Sequence, residues 1–173
     1  MKKFLFSLGL MSGTSMDGID ASIIKSDGEG FIEVIDDIYL RYNEQTKLRL
    51  KKVIDLLTSK DQIPKLSKEI NQVEKEITLS HVKICELIID KNKKIRLDLI
   101  GFHGQTLLHK PQKGYSIQIG NAQLLSKLTK TIVISNFREN DILHGGQGAP
   151  LTPIYHQKIL MKIKSTLPSV IIN

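Results

Sequence analysis

The segment that most restricts the fold is Phe4 to Met11, a nearly continuous apolar run that stops at Ser12-Gly13-Thr14-Ser15. Such a run, bounded by turn residues, reads as a strand covered on both faces. Asp17-Gly18 closes the loop, and Ile19, Ala21 and Ile23 then alternate with more polar neighbours, the period of a second strand. A third run, Phe31 to Leu40, follows the turn Asp27-Gly28-Glu29-Gly30. Three antiparallel strands are therefore predicted to open the domain.

Helical periodicity follows. Leu50, Val53, Ile54 and Leu57 share one side of a helix over 44–57, and Leu66, Ile70, Val73, Ile77, Ile84 and Ile88 share one side of a longer helix beginning at Pro64. Strand character returns at Leu97 to Phe102, Tyr115 to Ile119 and Thr131 to Ser135, with Asn121 capping a short helix through Leu128. Ser169 to Asn173 reads as the start of another buried strand. The pattern predicts an α/β fold: one mixed sheet with a three-strand antiparallel opening, flanked by helices. With 173 residues, 40% of them hydrophobic, the chain has enough apolar side chains for one core, and no repeat or linker divides it.

Composition narrows the function classes. The net charge of +7 comes mainly from lysine, because only Arg41, Arg49, Arg96 and Arg138 are arginines; the lysines are scattered and aromatics make up 5%. Nucleic-acid binders cluster arginine with aromatics, so nucleic acid is not the expected partner. A single cysteine, Cys85, rules out an intramolecular disulfide and fits a reducing cytoplasm. No apolar run approaches the ~18 residues of a membrane span.

Three segments carry chemistry. Gly13, Thr14, Ser15, Met16, Asp17, Gly18, Ile19 and Asp20 join two strands with glycines and small hydroxyls, so backbone N–H groups and hydroxyls can converge on an oxyanion. Asp17 and Asp20 could position Mg²⁺ or its waters beside a phosphate. An ordinary hairpin turn explains the composition of this loop equally well. Lysine is absent and a strand follows, so the loop is neither a Walker A sequence nor a dinucleotide fingerprint.

The second segment, Gly101 to Thr106, is expected to follow a strand end, where open sheets place ligand contacts. Gln105 and Thr106 suit hydroxyls or amides, whereas His103 and His109, flanking an expected turn with no third ligand, read as structural. The third, Ser135 to Pro150, is dense in glycine, with Arg138 able to grip a carboxylate and Asp141 able to bind a hydroxyl or act as a base. A surface ion pair between Arg138 and Asp141 is the bland alternative.

Taken in order, MSGTSMDGIDA, GFHGQTLLHKP, SIQIGNAQLLSKLT and NFRENDILHGGQGAPLTPIYH resemble the anhydro-N-acetylmuramic acid kinase family over essentially the whole chain. That resemblance implies the ribonuclease-H-like lobe of the actin, heat-shock ATPase and sugar kinase fold, in which two lobes close over ATP and substrate. It implies ATP and Mg²⁺ as cofactors, an amino sugar as substrate, residues 13–20 as the phosphate loop, and Gln105, Thr106 and Arg138 on the sugar side. It further implies that residues 1–173 form the N-terminal lobe, that the second lobe with its aspartate base is absent from this chain, and that Asp141 is the one in-chain acid to consider in its place. On that expectation the chain alone is inactive, with a separately encoded C-terminal half or a second copy of the chain as candidate partners. A non-catalytic remnant or scaffold is the alternative. One departure is Asn136, where family members usually carry Asp before Phe-Arg.

Overall fold

The computed structural model describes residues 4–163. Its opening is the predicted antiparallel set: β1 (Leu5–Ser12), β2 (Gly18–Ser26) and β3 (Ile32–Arg41). The chain then enters α1 (Glu44–Leu56), capped by Asn43, whose Oδ1 accepts the Thr46 N–H at 2.8 Å. The second long helix, α2 (Ser67–Lys91), starts later than Pro64 suggests. Residues 60–62 form a short 3₁₀ turn, and Gln62 Oε1 accepts the N–H of Ser59 and of Thr58, tying the chain into a local knot before the helix begins.

The remaining elements are β4 (Leu99–Lys110), β5 (Tyr115–Ile119), α3 (Ala122–Thr129), β6 (Ile132–Ile134), α4 (Phe137–Leu143) and α5 (Pro153–Lys162). The strand expected at residues 169–173 lies outside the described residues. The sheet runs β3-β2-β1-β4-β5, with β6 also on β4. β4 serves two neighbourhoods. Leu99 to Gly101 lie parallel to β1 on one side and to β6 on the other, whereas Gln105 to Lys110 form an antiparallel hairpin with β5.

Alternation along the strands decides which face is buried. Leu8, Leu10, Ile19, Ala21, Ile23, Ile100 and Phe102 point to one face and are at most 5% exposed. Leu50, Val53 and Leu57 of the α1 segment, Val73, Ile77, Ile84, Cys85 and Ile88 of α2, and Leu125 of α3 close over them. The helices are amphipathic because these positions recur every three or four residues. At the centre, the Phe102 ring meets the His81 ring edge-on, with centroids 4.9 Å apart. Gly9, Met11, Asp20, Ser22, Ile24 and Tyr39 turn to the other face, where Tyr155 of α5 helps to line a cavity of about 450 Å³.

Candidate functional site

The parallel strands β1, β4 and β6 place their carboxyl ends along one edge of the sheet, the position where open α/β sheets bind ligands. Three segments meet that edge: loop 13–17 after β1, residues 103–106 of β4, and α4 after β6.

The loop after β1 is a tight turn. Met16 donates its N–H to the Gly13 carbonyl at 3.2 Å and adopts a left-handed backbone, φ 56°. Thr14 and Ser15 at its tip are exposed. Asp17 leaves the loop on the α1 side, its Oδ1 2.7 Å from Lys47 Nζ, and its carbonyl accepts the Tyr42 N–H at 3.0 Å. The Lys47 contact, followed by a hydrogen bond from Ser15, lowers the Asp17 pKa and keeps the carboxylate charged. Asp20 stands apart from this pair, on the β2 face that carries Ser22 and lines the 450 Å³ cavity. Among the described residues, no group of three His, Cys, Asp or Glu side chains is placed to hold a metal ion.

Beneath the loop lies a buried polar network. Ser12, Gln105 and Tyr42 are each at most 3% exposed. Ser12 Oγ donates to Gln105 Oε1, the Tyr42 hydroxyl shares a 2.8 Å bond with Ser12 Oγ, and Gln105 Nε2 donates to the Gly13 carbonyl at 3.1 Å. Burial raises the Tyr42 pKa, so the hydroxyl stays protonated. Gln105, expected from the sequence beside a bound sugar, thus has both ends of its amide engaged under the loop after β1.

A bulge puts it there. Residues 101–106 do not follow a strand end, as the sequence suggests, but lie inside β4. Leu10 pairs with Phe102, yet Ser12 pairs with Gln105, so β4 carries one extra residue across that step. Gly104 makes the step with φ +69°, and a Cβ there would lie 2.4 Å from the Ile119 carbonyl oxygen. The turn expected between His103 and His109 is replaced by this bulge. His109 lies in the same strand, bonded through Nδ1 to Ser116 Oγ at 3.0 Å. Thr106 pairs with Gln118 of β5 and accepts its Nε2–H at 3.3 Å.

Within the third segment, Phe137–Leu143 form α4, a helix not among those predicted from the sequence. Asn136 enters α4 with a left-handed backbone, φ 62°, a conformation that Asn tolerates better than most residues. Arg138 donates from Nε to His103 Nε2 at 2.7 Å and from Nη1 to the Gly148 carbonyl at 2.6 Å. One turn on, Asp141 Oδ2 accepts the Gly148 N–H at 2.7 Å. Gly148 is clamped from both sides, with φ +66°, and a Cβ there would press on Ile142 at 3.0 Å and on Arg138 at 3.1 Å. Arg138 and Asp141 therefore share a target instead of pairing with each other. Partial burial lowers the Arg138 pKa, although guanidinium remains charged at neutral pH. Nη2 donates no hydrogen bond among the described residues and remains able to meet an anion.

The family model described as anhydro-N-acetylmuramic acid kinase matches residues 5–173. The chain belongs to this family. It is 49% identical over 173 residues to an anhydro-N-acetylmuramic acid kinase of Pelagibacter ubique, covering 100% of this chain and 46% of that protein. Similar kinases from Rhizobium etli (39% identical over 160 residues, 91% of this chain and 43% of theirs) and Brucella suis (38% over 172 residues, 96% and 46%) show the same partial coverage. The chain spans about half the length of the curated relatives it matches. Kinases of this family have the actin-like ATPase fold, and the mixed sheet with its antiparallel opening agrees with it.

Proposed function

We propose that these 173 residues form the first lobe of an ATP-dependent amino-sugar kinase, with the loop at residues 13–17 facing the nucleotide phosphates, the core residue Ile19 serving only the fold, and Arg138 and Thr106 facing the sugar. The observation that carries the proposal is the meeting of the loop, the β4 bulge and the Arg138 clamp at the carboxyl ends of parallel strands, in a chain of this family.

The loop residues suit a polyphosphate: the tip is exposed, hydroxyl-bearing and free of lysine, so recognition would come from N–H and O–H donors. ATP supplies the transferred phosphoryl group, and Mg²⁺ neutralises its developing charge. Mg²⁺ keeps several waters and binds substrate phosphates, so Asp17, held charged by Lys47, suits an outer contact, with Asp20 a second carboxylate further along β2. On the sugar side, the free edge of the Arg138 guanidinium suits a lactyl-type carboxylate, the group that distinguishes muramic sugars. Family membership implies the reaction: water adds at the anomeric carbon of 1,6-anhydro-N-acetylmuramic acid, the anhydro bond to O6 opens, and O6 takes the phosphoryl group. N-acetylmuramic acid 6-phosphate and ADP result, a step of cell-wall recycling. A carboxylate base must accept the proton from water. Asp141 is occupied in holding Gly148, so we assign the base to a second lobe.

The test is phosphoryl transfer from ATP to 1,6-anhydro-N-acetylmuramic acid, by this chain alone and mixed with the C-terminal half of a related kinase. Activity in the mixture, with negligible turnover by the chain alone, is the expected result. Turnover by the chain alone would place the base within it. No activity in either, with both parts folded and a full-length relative active, would oppose the kinase reading.

A further inference from the structure

The Ser12–Gln105–Tyr42 network is polar where the fold could be apolar. Side chains buried this deeply require complete hydrogen bonding, and a matched apolar replacement stabilises a core equally well. An apolar replacement could not fix the direction of a peptide group. The Gly13–Thr14 peptide is planar, so its carbonyl and its N–H point in opposite directions. Gln105 Nε2 holds that carbonyl from below at 3.1 Å, and Met16 N–H holds it from within the loop at 3.2 Å. The Thr14 N–H is thereby turned away from the buried amide towards the exposed tip, and it donates no hydrogen bond among the described residues.

We infer that Gln105 is a positioning residue that aims the Thr14 N–H at a bound phosphate oxygen. The inference rests on residues 13–17 being a phosphate loop. It gives the bulge at Gly104 a purpose: the extra residue sets the Gln105 amide opposite Ser12, within reach of Gly13. The Gly13 carbonyl, which can only accept, fixes which way the amide faces: it takes the Nε2–H and leaves Oε1 to the Ser12 hydroxyl.

The test uses the full chain, with inorganic triphosphate and Mg·ATP as probes, followed by calorimetry and by backbone and side-chain amide NMR. In the wild type, both probes are expected to bind and to shift the Thr14 amide and the Gln105 side-chain amide together. Gln105→Glu keeps the shape and the Ser12 contact but loses the donor to Gly13. Its affinity for both probes should fall at least tenfold, and the Thr14 shift should vanish while the other amides keep their wild-type dispersion. A Gln105→Glu chain that binds as well as wild type overturns the inference and leaves the phosphate-loop reading standing. A wild-type chain that binds neither probe overturns both. Should Gln105→Glu not fold, the wild-type spectra decide: joint shifts at Thr14 and the Gln105 side chain support the inference, and a silent Thr14 amide in a chain that binds overturns it.

Discussion

His103 takes the Nε–H of Arg138 on Nε2 at 2.7 Å and hydrogen-bonds the Gly104 carbonyl through Nδ1 at 2.9 Å, so only the neutral, Nδ1-protonated imidazole serves both partners. Burial, with Arg138 adding to it, lowers the His103 pKa and favours that form. The ring acts as a spacer that sets the guanidinium beside the bulge of β4.

Arg138→Lys tests the clamp. An ammonium on a flexible stem cannot reproduce the fixed fork to His103 and Gly148 while presenting a free planar edge. Sugar affinity should fall at least tenfold, with Mg·ATP affinity unchanged, when both are measured by calorimetry. Equal losses for the two ligands would show that Arg138 serves the fold as a whole.

Stability should depend on pH through His81. This residue is fully buried against Phe102, its Nδ1 bonds the Ile77 carbonyl at 2.8 Å, and its Nε2 has no partner among the described residues. Desolvation moves its pKa from 6.5 down to about 4. The folded value lies below the unfolded one, so this contribution is complete above pH 6.5 and is lost as pH falls through about 4. The total at stake is on the order of 3 kcal/mol. Urea unfolding at pH 7.5 and pH 4.5 should show a fall that largely disappears in His81→Leu.

Gly104→Ala should break the bulge. The left-handed backbone and the contact with the Ile119 carbonyl together predict a loss of about 2 kcal/mol or more. For a chain of this size that is a fall in Tm of roughly 4–8 °C. Calorimetric melting measures it, and an unchanged Tm would mean that β4 can run straight through this position.

Cys85 is fully buried in α2, and burial pushes its thiol up to about 12. It should resist iodoacetamide in the folded chain and react fully in 6 M-class denaturant, on the order of the concentration that unfolds stable domains. Mass spectrometry reads both states.

The parts of the fold legible in the sequence were those written in periodicity. The alternation Ile19-Ala21-Ile23 and the helical stripes of α1 and α2 bury the residues their spacing indicates, with Ile54 and Leu66 only partly covered, whereas the apolar run of β1, expected to be covered on both faces, buries Leu8 and Leu10 on one face and leaves Met11 48% exposed on the other. Asn121 does cap α3, its Oδ1 accepting the Leu124 N–H at 2.8 Å. What escaped depends on contacts distant in sequence. Gly104 is a turn signal locally and a bulge only because β1 and β5 flank it. Seven residues with one buried position, Ile142, are too few to announce α4, which is held by Arg138 and Asp141 on Gly148. For α5 a signal was present: Thr152-Pro153 places proline in the first helical turn. At the candidate site, the loop and Arg138 could be named from residue type, whereas the burial of Gln105 and the separation of Asp20 from Asp17 needed the register of β4 and the pleat of β2.

The assignment of the two sides of the site is tested most directly by mapping amide shifts on the wild-type chain during separate titrations with Mg·ATP and with 1,6-anhydro-N-acetylmuramic acid. The nucleotide should perturb residues 13–17, and the sugar should perturb Thr106, Arg138 and Gly148. Nucleotide shifts confined to any other part of the surface would contradict the account.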